Sequence, residues 1–195
     1  MLRENDAKWY TLVMFSSFLE NPTGCSFEGQ DGDENIILLA RAHPITNLRW
    51  IIPAILIFLT PFLLPTVAAS LGINLFLNLP ETYNLAFLVI NYLLVLVIVF
   101  EGFLHWYFNV NIVTNKKIVD VDFDSILFKS VDLAPLDDIQ EVTPSIGGLF
   151  GIIFNFGNVF VQTSGARIDI DFKNVPHPDR VADIVIDQAD IHRNH

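Results

Sequence analysis

The stretch 50–72, WIIPAILIFLTPFLLPTVAASLG, and its companion 84–108, NLAFLVINYLLVLVIVFEGFLHWYF, decide how this chain is read. The first contains no charged residue, and the second contains none before Glu101. A helix rises about 1.5 Å per residue, so roughly 20 apolar residues cross the hydrocarbon core of a bilayer. Neither stretch shows the polar stripe that a half-buried soluble helix carries. The pair reads as a transmembrane helical hairpin. The connection 73–83 holds no Lys or Arg, whereas Arg41 and Arg49 precede the first stretch and Lys116 and Lys117 follow the second. By the positive-inside rule both termini are expected on the cytoplasmic side of the inner (cytoplasmic) membrane, with the protein multi-pass. Trp50, Trp106 and Tyr107 stand where aromatic side chains favour the headgroup layer.

Beyond the hairpin, 195 residues leave room for one modest soluble domain. The chain is 52% hydrophobic, with mean hydropathy +0.45 and formal charge −11. Residues 109–195 hold seven Lys/Arg against thirteen Asp/Glu, and residues 1–49 hold four against seven. Acidity of this kind argues against nucleic acid as a partner, because phosphates need a basic face. It also argues against strong recruitment to anionic headgroups. The single cysteine, Cys25, excludes an internal disulfide and a multi-cysteine zinc site.

Residues 1–25 form an N-terminal extension around an 11-residue apolar run, Trp9–Leu19, too short to span. It reads as an interfacial amphipathic segment or a helix packed on the domain, ahead of a lipoprotein-type signal ending at Cys25. Residues 26–49 read as a juxtamembrane linker, Gly- and Asp-rich at first. Within it, Ile36–Leu39 suits either a strand added to the soluble domain or an interfacial approach to the membrane. In the first span, Pro53, Pro61 and Pro65 imply a bent anchor rather than a substrate path, since no acid or base accompanies them. Asn91 is the candidate for a hydrogen bond between helices. Glu101 and His105, one helical turn apart, are the remaining intramembrane polar candidates, for a metal, a proton relay or simple snorkelling.

After Phe108 the pattern changes to alternation. Val110 and Ile112 alternate with Asn109 and Asn111, and Thr114-Asn115-Lys116-Lys117 makes a turn. Val119, Val121 and Phe123 then alternate with Asp120, Asp122 and Asp124. Further strands are expected around Leu127, Val131 and Leu133, at 139–143, and in a hairpin of 159–163 with 167–173 turning at Ser164-Gly165-Ala166. Ile168, Ile170 and Phe172 share one face of it. Such strands fit a small antiparallel sheet with one wet face. A helix beginning at Pro178 closes the domain, with Val181, Ile184, Val185 and Ile191 on its buried face and 191–195 as a tail. Between strands, SIGGLFGIIFNFG (145–157) lacks the basic residue and following helix of a phosphate cradle. Its apolar residues are expected first as a plug for the core. The sharper reading makes Leu149, Phe150, Ile152 and Ile153 a lip that touches the bilayer or another subunit.

A two-span hairpin followed by WYFNVNIVTNKKIVDVD, LFKSVDLAPLDDIQEVTPSIGGLFGIIFNFGNVFVQTSG and KNVPHPDRVADIV resembles a YdbS-like bacterial pleckstrin-homology (PH) membrane protein, over roughly residues 26–190. The resemblance implies a strongly bent antiparallel sheet of about seven strands capped by a C-terminal helix, at 109–190. Six strands are apparent above, so the seventh is expected near Asn35–Leu39 or Ile152–Phe156. The resemblance implies no catalysis, and no nucleophile–base pair, cofactor motif or metal cluster appears in the sequence. PH domains that read phosphoinositides use basic residues of the first hairpin. Lys116 and Lys117 are the candidates here for headgroup contact, although Asp120, Asp122 and Asp124 follow closely. The expected function is a non-catalytic, membrane-anchored interaction or scaffold module that forms a homo-oligomer or binds a membrane protein. Lipid sensing or lipid handling is the alternative.

Overall fold

The computed structural model describes residues 16–22, 24–27, 29–73, 80–125, 128–164 and 169–193. It comprises two compact units, Asn47–Leu104 and a second made of Met1–Thr46 with His105–His195. Most of the N-terminal extension, the 74–79 part of the inter-helix connection, Leu127, and the 165–168 turn with Arg167 and Ile168 lie outside the described residues.

The first unit holds helix α1, Leu48–Ser70, and most of helix α2, Glu81–Phe108. With the 3-10 turn Pro44–Asn47, the first helical stretch is 27 residues and the second 28, so both are long and apolar enough to cross a membrane. Most of their apolar side chains are uncovered, among them Leu56, Phe62, Ile90 and Leu96. Helix α1 runs through all three of its prolines and stops at Gly72, whose φ of +73° ends the helical hydrogen-bonding pattern. The Asn91 amide donates to the Thr60 hydroxyl at 2.6 Å, and Phe58 meets Tyr92 with ring centroids 5.4 Å apart. Gly102 lies directly under the Trp50 indole, where a Cβ would collide.

Among its described residues, the second unit carries eight strands and two helices of its own. Strands β1 (Phe18–Glu20), β2 (Ile36–Ala40), β3 (Val110–Thr114), β4 (Lys117–Ser125) and β5 (Phe128–Pro135) form one antiparallel sheet in that order. Strands β6 (Ile139–Ser145), β7 (Phe156–Thr163) and β8 (Ile170–Pro176) form a second. Helix α3, Gly148–Phe154, joins β6 to β7, and helix α4, Pro178–Arg193, packs on β6 and β7. The core is shared by both sheets and α4: Leu38, Val113, Ile118, Leu136, Val159, Val161, Phe172, Val181 and Val185 are fully buried.

Strand β2 precedes both apolar helices in the chain, yet it pairs with β3, which follows them. Leu38 stands opposite Val113, Leu39 opposite Ile112 and Ala40 opposite Asn111. The missing strand of the sequence reading is therefore Ile36–Ala40, inside the stretch expected as a linker. Its run of consecutive apolar residues fits a strand covered on both faces. The apolar helices are inserted between two neighbouring strands of one sheet. Strand and helix are also tied beyond the ladder. The Trp106 indole donates to the Ala42 carbonyl at 2.8 Å, and the Arg41 guanidinium lies 5.0 Å over the Tyr107 ring.

Four further expectations need correction. Residues Ile152–Phe154 belong to α3 rather than to a strand, so 145–157 does contain a short helix. The sheet has no wholly wet face at β3 and β4. Ile36, Ile112 and Val119, with Val110 and Val121, pack beneath Cys25 and Phe27 on the outer side, while Ile118 and Val113 enter the core on the other. Alternation reveals two faces but not which of them a remote segment covers. On α4 the buried positions are Pro178, Val181, Ala182, Ile184, Val185 and Ala189, and Ile191 is exposed. Two residues past Ala189, it is turned about 200° round the helix. The helix itself continues to Arg193, through the expected tail.

Gly157 opens β7 against the end of β6. A Cβ there would fall on the Ser145 carbonyl oxygen, which is backbone and has little room to yield. Gly157→Ala is expected to cost about 1–3 kcal/mol through this overpacking. A lowered urea midpoint of the detergent-solubilised protein checks it.

Candidate interaction surface

In the unit that holds the sheets, the loop between β6 and β7 presents the most uncovered apolar side chains among the described residues. Gly148 enters α3 with φ of +73°, and Asn155 ends it in the left-handed region at φ +51°. Between those ends only Gly151 is buried, packed against the Phe156 carbonyl and Ile146, where a side chain would be crowded. The helix thus docks on the domain through a glycine and turns its larger residues outward. Leu149 is 72% exposed, Phe150 62%, Ile152 71% and Ile153 63%. The expectation that these residues plug the core is overturned: they form a projecting lip. Its base is fixed by local contacts. Phe150 stacks on Phe154 at 6.4 Å, His43 stacks on Phe156 at 5.3 Å, and the Asn155 side-chain amide lies 2.9 Å from His177 Nδ1. The His177 N–H also donates to the Asn155 carbonyl at 2.9 Å. Burial, with the neighbouring His177 charge adding to it, lowers the His43 pKa.

Lys116 and Lys117 occupy the β3–β4 turn, and acids from the preceding segment claim both. Lys116 Nζ is 2.6 Å from Asp33 Oδ1 and 3.9 Å from Asp31 Oδ2. The Asp33 bond raises the lysine's pKa, and Lys116 in turn lowers that of Asp33. Lys117 Nζ is 3.1 Å from Glu34 Oε2, 3.0 Å from the Gly29 carbonyl and 5.5 Å over the Phe27 ring. Glu34 is buried, which alone would raise its pKa. Hydrogen bonds from Thr114 Oγ1 at 2.7 Å, from the Asp31 N–H at 3.0 Å and from Lys117 outweigh burial and lower it. The turn is clamped, and its two positive charges are met. Asp31, Asp33 and Glu34 were missed in the sequence because a Gly/Asp-rich run reads as linker. Their partners lie more than 80 residues further on.

The polar residues of the hairpin separate in role. Asn91 bridges the two helices through Thr60. His105 is exposed, with Nδ1 2.6 Å from the Phe123 carbonyl and Nε2 3.5 Å from the Asn109 amide, while Asn109 Oδ1 accepts from the Phe123 N–H at 2.7 Å. His105 and Asn109 thus pin the far end of β4. Glu101 is exposed on α2. Among the described residues no group of three or more His, Cys, Asp or Glu is placed to hold a metal.

The described residues form two antiparallel sheets that share one core with a C-terminal helix, and in chain order the two apolar helices come between β2 and β3. A family model described as bacterial PH domain matches residues 45–189, about three-quarters of the chain. The chain belongs to the bacterial PH domain family. Neither the comparison with curated proteins nor that with solved structures returns a match. The narrower YdbS-like likeness fits within the family. The matched range of this bacterial PH domain begins after β2, so both β1 and β2 of the five-stranded sheet lie ahead of the region the family model covers.

Proposed function

We propose that this bacterial PH protein is a non-catalytic, membrane-anchored interaction module, held by α1 and α2 at the cytoplasmic face of the membrane, which assembles through the α3 lip. The observation that carries this reading is the outward set of Leu149, Phe150, Ile152 and Ile153 on a helix whose only buried position is Gly151. Large apolar residues gathered in one exposed patch mark contact surfaces. The occupant is a second copy of the chain or a membrane protein partner. The positive-inside distribution supports cytoplasmic termini. Headgroup recognition by Lys116 and Lys117 is disfavoured, because Asp33 and Glu34 already neutralise them.

Phe150→Asp and Ile153→Asp are each expected to weaken assembly at least about tenfold, the scale of a central contact residue. Native mass spectrometry of the full-length protein, gently extracted from its own membrane, checks this. Unchanged stoichiometry and co-purifying partners in both variants, with the fold intact by circular dichroism, would remove the lip from the proposal.

A further inference from the structure

Near the approach of β4 to β8, the inner side of the sheet carries polar groups that neither the lip nor the hairpin uses. Asn111 on β3 stands opposite Asp120 on β4, and Asp120 stands opposite Asp132 on β5. Cross-strand partners leave the sheet on the same face. On these strands that face also carries Val113 and Ile118 into the core. Asn111 is only 6% exposed and Asp120 7%. Asn111 Oδ1 is buried and has no hydrogen-bond partner. The charged groups around Asp120 are Asp122 on its own strand, Asp132 on β5, and Asp171 and Lys173 on β8. Lys173 Nζ is bound to Asp122 Oδ2 at 2.9 Å. Burial, then the charge of Asp122, raises the Asp120 carboxyl to about 7, despite Lys173.

Among the described residues, this face of the sheet therefore presents a buried amide oxygen lacking a donor on the strand position opposite a buried carboxyl, with three further acids against one lysine. Leaving a buried acceptor such as Asn111 Oδ1 unmet is costly. A group that meets both must bring N–H donors and positive charge. An ammonium does so with three rotatable donors on a slim flexible stem, whereas the broad guanidinium fork suits an open bidentate site. We propose that the cross-strand pair Asn111–Asp120 receives a primary ammonium group, the head of a lysine side chain from a partner protein. Only the source of the lysine rests on the interaction-module reading. The pair belongs to β3 and β4 and the lip to α3, so the pair's chemistry stands or falls independently of the lip.

The test uses the full-length protein in detergent, with n-butylammonium as the lysine mimic and the Asn111 side-chain amide followed by NMR. At about pH 8, saturable binding is expected, weakened about tenfold or more in Asp120→Asn and again near pH 6 as Asp120 takes up its proton. Tetramethylammonium, equally charged but without N–H donors, is expected not to compete. A lysine-containing peptide is expected to compete. Equal action of the two cations, or undiminished binding in Asp120→Asn with an unchanged fold, overturns the proposal. So does an Asn111 signal that follows only the titration of Asp120, which would mean that a proton shared between them satisfies the pair. Competition by phosphatidylethanolamine-containing vesicles but not by the peptide would overturn the protein source. Phe150→Asp is expected to leave butylammonium binding intact.

Discussion

Deleting Ile36–Ala40 is expected to unfold the PH domain, although this segment lies ahead of both apolar helices. The strand supplies Leu38 and Ala40 to the core, both fully buried, and the backbone partners of Asn111, Ile112 and Val113. Truncating Leu38 alone to Ala is expected to cost about 2–5 kcal/mol. A domain of this size holds only about 5–15 kcal/mol in all. Losing the whole strand also bares the edge of β3 and separates Arg41 and Ala42 from their contacts with Tyr107 and Trp106. The sharp comparison is between a fragment of residues 105–195 and a chain in which residues 16–46 are joined to it by a flexible linker. The joined chain is expected to unfold cooperatively and to protect the β3 amides from exchange. The fragment alone is expected to do neither. A cooperatively folded 105–195 with protected β3 would show that β2 is an accessory.

The two apolar helices and six of the strands are legible in the sequence because each rests on a local signal: length without charge, or alternation over a few residues. The C-terminal helix is legible from Pro178 and the spacing of Val181, Ile184 and Val185. Other features depend on partners distant in the chain. Ile36–Leu39 fits a strand or a membrane approach equally well until β3, more than 70 residues later, is known to lie beside it. The lip residues are visible as an apolar run broken by glycines. Their direction is not, since it depends on Gly151 docking the helix against Phe156. The lysine pair is equally visible, and its neutralisation by Asp33 and Glu34 is not. Asp120 is the hardest case. In VDVDFD it looks like one of three solvent-facing acids, and only the placement of Cys25 and Phe27 over the opposite face turns it inward.

That inward turn has a consequence for stability: Asp120→Asn is expected to stabilise the protein at alkaline pH while changing little at acid pH. In the folded state the carboxyl is raised from 3.8 to about 7, chiefly by burial. The unfolded chain loses this proton near pH 4, whereas the folded chain keeps it until near pH 7. Between those values the folded state binds more protons than the unfolded one, so stability falls as pH rises. Below the window both states are protonated and the residue contributes no difference. Above it both are ionised, and the folded state bears the full cost of a buried charge among Asp122, Asp132 and Asp171. A shift of roughly three units corresponds to up to about 4 kcal/mol. Asparagine keeps the shape, removes the charge and can donate to Asn111 Oδ1, so the variant escapes this cost. The difference between variant and wild-type urea midpoints, followed from about pH 4 to pH 8, isolates Asp120 from the other titrating acids. It is expected to grow across the window and then level off. A flat difference, or a variant less stable at pH 8, would mean that the Asp120 carboxylate is held favourably by Lys173. A buried charge that is costly alone should also be relieved when a cation pairs with it. Butylammonium at pH 8 is accordingly expected to raise the wild-type midpoint toward that of Asp120→Asn and to leave the variant where it is.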